Sequence, residues 1–143
     1  SSGDAPALLG LAIARKESMF NPKAVSIANA QGLLQLNPDT SARLMNGRSH
    51  DLFDPKTNIQ LGMQYVEELM KRFNGSIPLV LASYNAGEDA VGIWTKRFPG
   101  IEPVLWIDLI PYRETRDYVG FVLANYFWYR RIYGSENEVP NLI

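Results

Sequence analysis

Apolar residues recur three and four positions apart along most of the chain, which is the spacing of an amphipathic helix. The first run predicts a helix over residues 5–16, with Asp4 as its N-cap and Pro6 in its first turn, where proline is tolerated. Its apolar face is formed by Leu8, Leu9, Ala12 and Ile13. We expect this face to lie against the core.

The later helices are marked by asparagine, aspartate, proline and glycine at their ends. Asn37-Pro38 and Asp54-Pro55 each place a capping side chain before a proline, which is typical of a helix start, and Asn74-Gly75 is typical of a helix end. The predicted helices begin at residue 38 and span 55–73, 77–85, 89–98 and 114–133, with one short turn at 105–110. No segment alternates apolar and polar residues as a strand would, so the sequence predicts a mainly α fold.

Glu17 occupies a position at which the helical pattern calls for an apolar side chain. Residues four apart lie above one another on a helix, so Leu9, Ile13 and Glu17 share the face that is expected to be buried. Desolvation and the negative end of the helix both favour a protonated carboxyl, which predicts a weak, proton-holding acid. The alternative is a structural glutamate that caps its own helix or pairs with Arg15 or Lys16.

Two connecting segments are unusually polar for chain between apolar helices. Residues 25–36 include Ser26 and Gln35, and the stretch YNAG places Tyr84 and Asn85 at a predicted helix end. Together these segments predict a polar cleft lined by loops and helix ends. The structural alternatives are helix capping for Ser26 and Asn85, and a core tyrosine with a bonded hydroxyl for Tyr84.

Composition narrows the classes of function. A chain of 143 residues with 46% hydrophobic content is expected to form one domain. It contains no cysteine, which excludes thiolate metal sites and a cysteine nucleophile, and its lone histidine, His50, lies in a polar segment expected to be a surface loop. We therefore expect no metal and no cofactor. The formal net charge of −1, without a basic run, argues against a nucleic-acid partner.

Four sequence blocks, in this order, resemble the catalytic domain of the soluble lytic transglycosylases, a lysozyme-like family that cleaves bacterial peptidoglycan. The blocks are ARKESMFNPKAVS at 14–26, AQGLLQLNP at 30–38, LASYNAG at 81–87 and PYRETRDYV at 111–119. The resemblance extends over residues 8–133 and is greatest to the large soluble periplasmic branch. It implies a lysozyme-like single domain, residues 1–143, of several helices around a saccharide-binding groove.

The resemblance also implies residue roles. Glu17 falls on the single catalytic acid/base, and the positions of Ser26, Gln35, Tyr84 and Glu114 line the saccharide groove in the family. Asn85, beside Tyr84, is a further candidate for substrate binding. The implied reaction cleaves the β-1,4 bond between N-acetylmuramic acid and N-acetylglucosamine and closes a 1,6-anhydro ring, whereas ordinary glycosidases use two carboxylates.

The chain departs from the family pattern at three positions. Asn29 stands where a glycine is usual, and Leu34 and Asn37 stand where methionines are common. Asparagine tolerates the left-handed conformation better than most residues, so we expect the turn at Asn29 to survive. The change at Asn37 is expected to alter contacts near the cleaved bond, and so the fine preference for substrate.

The expected partner is the glycan strand of peptidoglycan, in the periplasm or cell envelope. No apolar stretch of transmembrane length is present, and SSGDAP does not have the pattern of a signal peptide, so we expect export by a signal not present in this chain. Further domains are expected in a longer parent chain. Two other functions stay open, a goose-type lysozyme-like hydrolase and a non-catalytic glycan-binding module. The aromatic run at 125–131 has helical spacing, which favours core packing over stacking on sugars.

Overall fold

The structure, a computed structural model, describes residues 4–48 and 50–134. Seven helices lie in this part of the chain, and none of the described residues belongs to a β-strand. The helices are α1 (Asp4–Ser18), α2 (Pro38–Leu44), α3 (Pro55–Arg72), α4 (Ile77–Ala86), α5 (Glu88–Arg97), α6 (Pro103–Ile107) and α7 (Arg113–Tyr133). The predicted mainly α class is confirmed, and the predicted helices are present with bounds that differ by a few residues.

The chain divides within α3, between Tyr65 and Val66, into two compact units. In the first unit three residues of the predicted apolar face of α1 are buried, Leu9, Ala12 and Ile13, and the fourth, Leu8, is half-buried. Gly10 lies on α1 where a Cβ would press against the Met63 side chain of α3. The absence of a side chain at Gly10 therefore lets this helix pass close to α3.

A single buried amide, that of Asn58 on α3, organises the polar segment of the first unit. Its Oδ1 accepts a hydrogen bond from the Leu34 backbone N–H at 2.8 Å. Its Nδ2 donates to the carbonyl oxygens of Gln31 and Leu52, each at 2.8 Å. Asn58 is completely buried, so these three bonds satisfy groups that water cannot reach.

Two glycines make room for this arrangement. A Cβ on Gly32, whose φ is +81°, would overlap the Asn58 amide and the Leu52 carbonyl oxygen. A Cβ on Gly62 would overlap the Leu34 side chain, which is itself buried. The segment therefore lies directly on α3, with no space for a side chain at either position.

The start of α3 is fixed by Asp54, as the sequence predicts. Its Oδ2 accepts hydrogen bonds from the Thr57 hydroxyl at 2.7 Å and from the Thr57 N–H at 3.0 Å. The side-chain bond from Thr57, followed by the backbone bond, lowers the pKa of Asp54 below its ordinary value. Because this pKa is lowered in the folded state, the stabilisation is present above the unfolded pKa and is lost as pH falls through the folded one.

The second unit is built around α4, which packs against α5, α6 and α7. Three successive residues of α4, Val80, Leu81 and Ala82, are completely buried. The face that α7 buries is formed by Tyr118, Val119, Val122, Leu123 and Tyr126. An apolar helix surrounded by others has no solvent face of its own, which explains why α4 has almost no polar residues before its last turn.

The aromatic run at 125–131 is only partly core. Tyr126 is buried, so the core interpretation is right for this residue, but it is wrong for Trp128, which is 61% exposed. In a helix, only residues three or four positions apart face the same side. Trp128 is two positions from the buried Tyr126, so it lies on the opposite side of α7. His50 is exposed, as the polar surroundings in its sequence predict.

Replacing Asn58 with alanine should destabilise the protein far more than loss of one ordinary hydrogen bond. The change removes three hydrogen bonds at once from the interior, those to the Leu34 N–H and to the carbonyls of Gln31 and Leu52, and leaves a cavity, which together should cost about 3–5 kcal/mol of unfolding free energy. Urea denaturation measures this loss. Asn125→Ala is the matched control, since among the described residues Nδ2 of that buried side chain donates to one group, the Phe121 carbonyl of its own helix. It should cost about 1 kcal/mol, and equal losses would contradict the role of Asn58.

Candidate active site

Glu17 lies in the last turn of α1, which ends at Ser18. Its side chain is half-buried, next to the buried residues Ile13 and Ala14 on the same helix. The structure thus places Glu17 at the edge of the core and at the negative end of the helix, as the pattern predicts.

The end of α1 is anchored through Ser18, a residue that sequence reasoning did not single out. Its Oγ lies 2.8 Å from the Leu33 carbonyl oxygen and 3.1 Å from that of Ala14. Leu33 precedes Leu34, whose backbone is bound by Asn58. The position of Glu17 is therefore linked through Ser18 and the segment at 31–34 to a buried residue of α3.

Ser26 stabilises the turn that follows. Its Oγ accepts a hydrogen bond from the Ala30 N–H at 3.0 Å, and its own N–H donates to the Ala30 carbonyl at 2.9 Å. Asn29 within this turn has a φ of 63°, so the expectation that asparagine preserves a left-handed turn is confirmed. Ser26 is exposed, so its hydroxyl also stays accessible from solvent.

Gln35 is half-buried, and its amide nitrogen serves the fold. Nε2 donates to the carbonyl oxygens of Ala24 at 3.0 Å and Gly32 at 2.9 Å. Both amide hydrogens are thereby used. The carbonyl Oε1 makes no hydrogen bond within the part of the chain that the structure describes, so Gln35 can act toward a ligand as an acceptor.

The two remaining departures from the family pattern have structural roles. Leu34 is almost completely buried, so its side chain belongs to the core. Asn37 is the N-cap of α2, with its Oδ1 accepting from the Asp39 N–H at 2.9 Å. An additional contact of Asn37 with substrate stays a prediction.

The other three predicted site residues belong to the second unit. Tyr84 and Asn85 are half-buried on the last turn of α4, and Glu114 is exposed in the first turn of α7. Oδ1 of Asn85 accepts a hydrogen bond from the hydroxyl of Thr115, which is buried, at 2.8 Å. This bond joins the end of α4 to the start of α7, so Asn85 and Glu114 lie near one another.

Asn85 therefore does not serve as an ordinary helix cap, which was the structural alternative for this residue. The C-cap of α4 is Gly87, whose φ of 93° suits glycine and allows α5 to begin directly at Glu88. Thr115 was missed by sequence reasoning, although it lies between Glu114 and Arg116 in the fourth family block. A threonine in the first turn of a helix is common on the surface, so its burial leaves no mark in the sequence.

The described residues form neither a cluster of metal ligands nor a membrane-spanning helix. Among residues 4–48 and 50–134, no three histidine, aspartate or glutamate side chains are placed to hold a metal ion together. Within these ranges, no helix combines the length and apolar character that crossing a bilayer requires.

Comparison with known proteins connects these residues to one family. A family model for the transglycosylase SLT domain matches residues 2–103. The soluble lytic murein transglycosylase of Escherichia coli K12 is 36% identical to this chain over 144 residues, which covers 95% of this chain and 22% of that protein.

Solved structures agree with the sequence comparison. The 70 kDa soluble lytic transglycosylase Slt70 of Escherichia coli superimposes with a TM-score of 0.83 at 35% identity, covering 90% of this chain and 22% of that one. Lytic transglycosylase Slt of Pseudomonas aeruginosa, solved as an inactive glutamate-to-glutamine mutant, gives 0.81 at 33% identity, with 91% and 22% covered. The expected lysozyme-like fold is thus confirmed.

This chain spans 22% of the length of each of these relatives. The SLT model nevertheless matches well over half of the chain, and it includes Glu17, Ser26, Gln35, Tyr84 and Asn85. The chain belongs to the transglycosylase SLT domain family.

Proposed function

We propose that this chain is the catalytic module of a peptidoglycan lytic transglycosylase. It cleaves the β-1,4 bond between N-acetylmuramic acid and N-acetylglucosamine and leaves a 1,6-anhydromuramic acid end. The observation that carries the proposal is the half-buried Glu17 in the last turn of α1, inside the first family block. The relatives named above are lytic murein transglycosylases, and the Pseudomonas aeruginosa relative is inactive as a glutamate-to-glutamine mutant, which supports a glutamate as the essential group.

One carboxyl group suffices for this reaction because water does not take part. Glu17 donates its proton to the glycosidic oxygen, and the bond from that oxygen to C1 of the muramic sugar breaks. The N-acetyl group of the same sugar stabilises the positive charge that develops at C1. The C6 hydroxyl then bonds to C1 and gives its proton to the Glu17 carboxylate. The acid is thereby regenerated, and the product is a 1,6-anhydro ring.

The substrate-binding residues in this proposal are Ser26, Gln35, Tyr84, Asn85 and Glu114. The hydrogen-bonding state of two of them supports such a role. Within residues 4–48 and 50–134, the Gln35 carbonyl oxygen accepts no hydrogen bond and the Asn85 amide N–H groups donate none, so the first can accept from a ligand and the second can donate to it. Acetamido and hydroxyl groups of amino sugars offer the complementary partners.

The proposed location is the bacterial cell envelope, because murein, the substrate in the relatives' names, lies there. Since the chain spans 22% of the Escherichia coli relative, we also propose that it acts within a longer parent chain with further domains. The proposed partner is the glycan strand. Within the envelope, we propose the periplasm as the compartment.

Product analysis decides between this reaction and a goose-type lysozyme-like hydrolysis. Digestion of purified peptidoglycan should give muropeptides that end in 1,6-anhydromuramic acid, each lighter than the hydrolytic product by one water. Mass spectrometry of the reaction products measures this difference. Reducing muramic acid ends as the main product would assign the module to the hydrolases, and an absence of cleavage would favour the glycan-binding alternative.

Glu17→Gln should abolish turnover while the bound glycan is retained. Glutamine keeps the shape of the side chain but supplies no proton, so the rate should fall by about 10²–10⁴-fold. Because the two side chains have the same shape and size, thermal stability should stay close to that of the wild type, and a thermal melt checks this.

The matched control for that variant is Glu67→Gln on α3. The Glu67 carboxylate is largely exposed and pairs with Lys71 at 3.4 Å, so its loss should affect neither rate nor folding appreciably. Turnover by Glu17→Gln above about a tenth of the wild-type rate would remove Glu17 from the catalytic role.

A further inference from the structure

Two successive residues directly after α1, Met19 and Phe20, have left-handed backbone conformations. Their φ angles are 50° and 63°. The turn is closed by hydrogen bonds from the Met19 N–H to the Arg15 carbonyl at 3.1 Å and from the Asn21 N–H to the Ser18 carbonyl at 3.0 Å. Glycine or asparagine adopts this conformation readily, whereas a bulky side chain is strained in it.

At the other left-handed positions among the described residues, either the residue tolerates this conformation or hydrogen bonds of its side chain offset the strain. Non-glycine examples are Asn29, Asn46 and Asn74, which tolerate this conformation, and Gln35, whose amide makes two hydrogen bonds to the backbone. Phe20 is 47% exposed, so part of its ring is packed. Met19 is 83% exposed, and little burial offsets its strain.

Strain that the fold does not compensate points to a role for the side chain itself. Met19 is two residues from Glu17, so their Cα atoms lie within about 7 Å of one another. A sugar held against Glu17 is within reach of a long side chain at this distance. Methionine is unbranched and polarisable, which suits contact with an irregular, largely apolar surface such as the C–H face and N-acetyl methyl group of an amino sugar.

We propose that Met19 contacts the glycan beside the cleaved bond and contributes to the recognition of the N-acetylated sugar. The inference rests on the proposed function of Glu17. Met19 supplies no proton and no hydrogen bond, so its contact stabilises the bound substrate and the transition state equally. Its loss should therefore raise KM and leave kcat nearly unchanged.

Three substitutions separate the contact from the backbone. Met19→Gln keeps length and strain but removes the apolar end, and should raise KM about five- to tenfold at unchanged Tm. Met19→Asn also relieves the strain, so it should raise KM similarly while raising Tm by about 2–5 °C. Met19→Leu keeps an apolar side chain and should have nearly wild-type KM. Kinetics on soluble, uncrosslinked glycan strands and a thermal melt of each variant provide both quantities.

Ile59→Gln on α3 is the control for replacing an exposed apolar residue with an amide, and it should leave KM and kcat unchanged. Wild-type KM in both Met19→Gln and Met19→Asn would overturn the inference, as would a fall in kcat at constant KM. A failure of the proposed function would be seen elsewhere, in the products of the wild-type protein and in the activity of Glu17→Gln. Those two measurements do not depend on the residue at position 19, so the two failures are distinguishable.

Discussion

The hydrogen bonds of the buried Asn58 amide are the constraint on which the first unit depends. They hold the backbone of Gln31, Leu34 and Leu52 on α3, and the glycine at position 32 gives them room. The Leu33 carbonyl then receives the hydroxyl of Ser18 at the end of α1. A buried polar group of this kind is costly unless it is fully bonded, so it specifies one arrangement of the loop and of the helix end that carries Glu17.

Several residues around that helix end are unfavourable for the local electrostatics or for the backbone conformation. Glu17 is a carboxyl group at the negative end of α1, and Met19 and Phe20 follow it in strained backbone conformations. Sequences generally satisfy local preferences, and departures from them concentrate at functional sites, where other contacts compensate for the cost. Here the anchoring of Ser18 and the hydrogen bonds of the buried Asn58 amide hold the helix end that carries Glu17, while little burial offsets the backbone strain at Met19.

The helices could be predicted because periodicity and end signals agree, as at Asp54-Pro55 and Asn74-Gly75. Asn58 was missed inside the apolar run of α3, although the reasoning applied to Glu17, a polar residue on a buried face, also fits it. Thr115 could not be found, because only tertiary packing buries it.

Trp128 was wrongly assigned to the core, because the spacing of apolar residues predicts a helix but does not predict how much of the helix surface other elements cover. Residue roles at the site came from family resemblance, since local pattern left structural alternatives open for Ser26, Tyr84 and Asn85.

The central claim is that the C6 hydroxyl of the substrate, and not water, completes the reaction that Glu17 begins. Cleavage of purified peptidoglycan in water labelled with heavy oxygen tests this claim most directly. The account predicts that the new muramic acid ends carry none of the label, because no water oxygen enters the product. Ends that contain one heavy oxygen atom at C1 would show hydrolysis and contradict it.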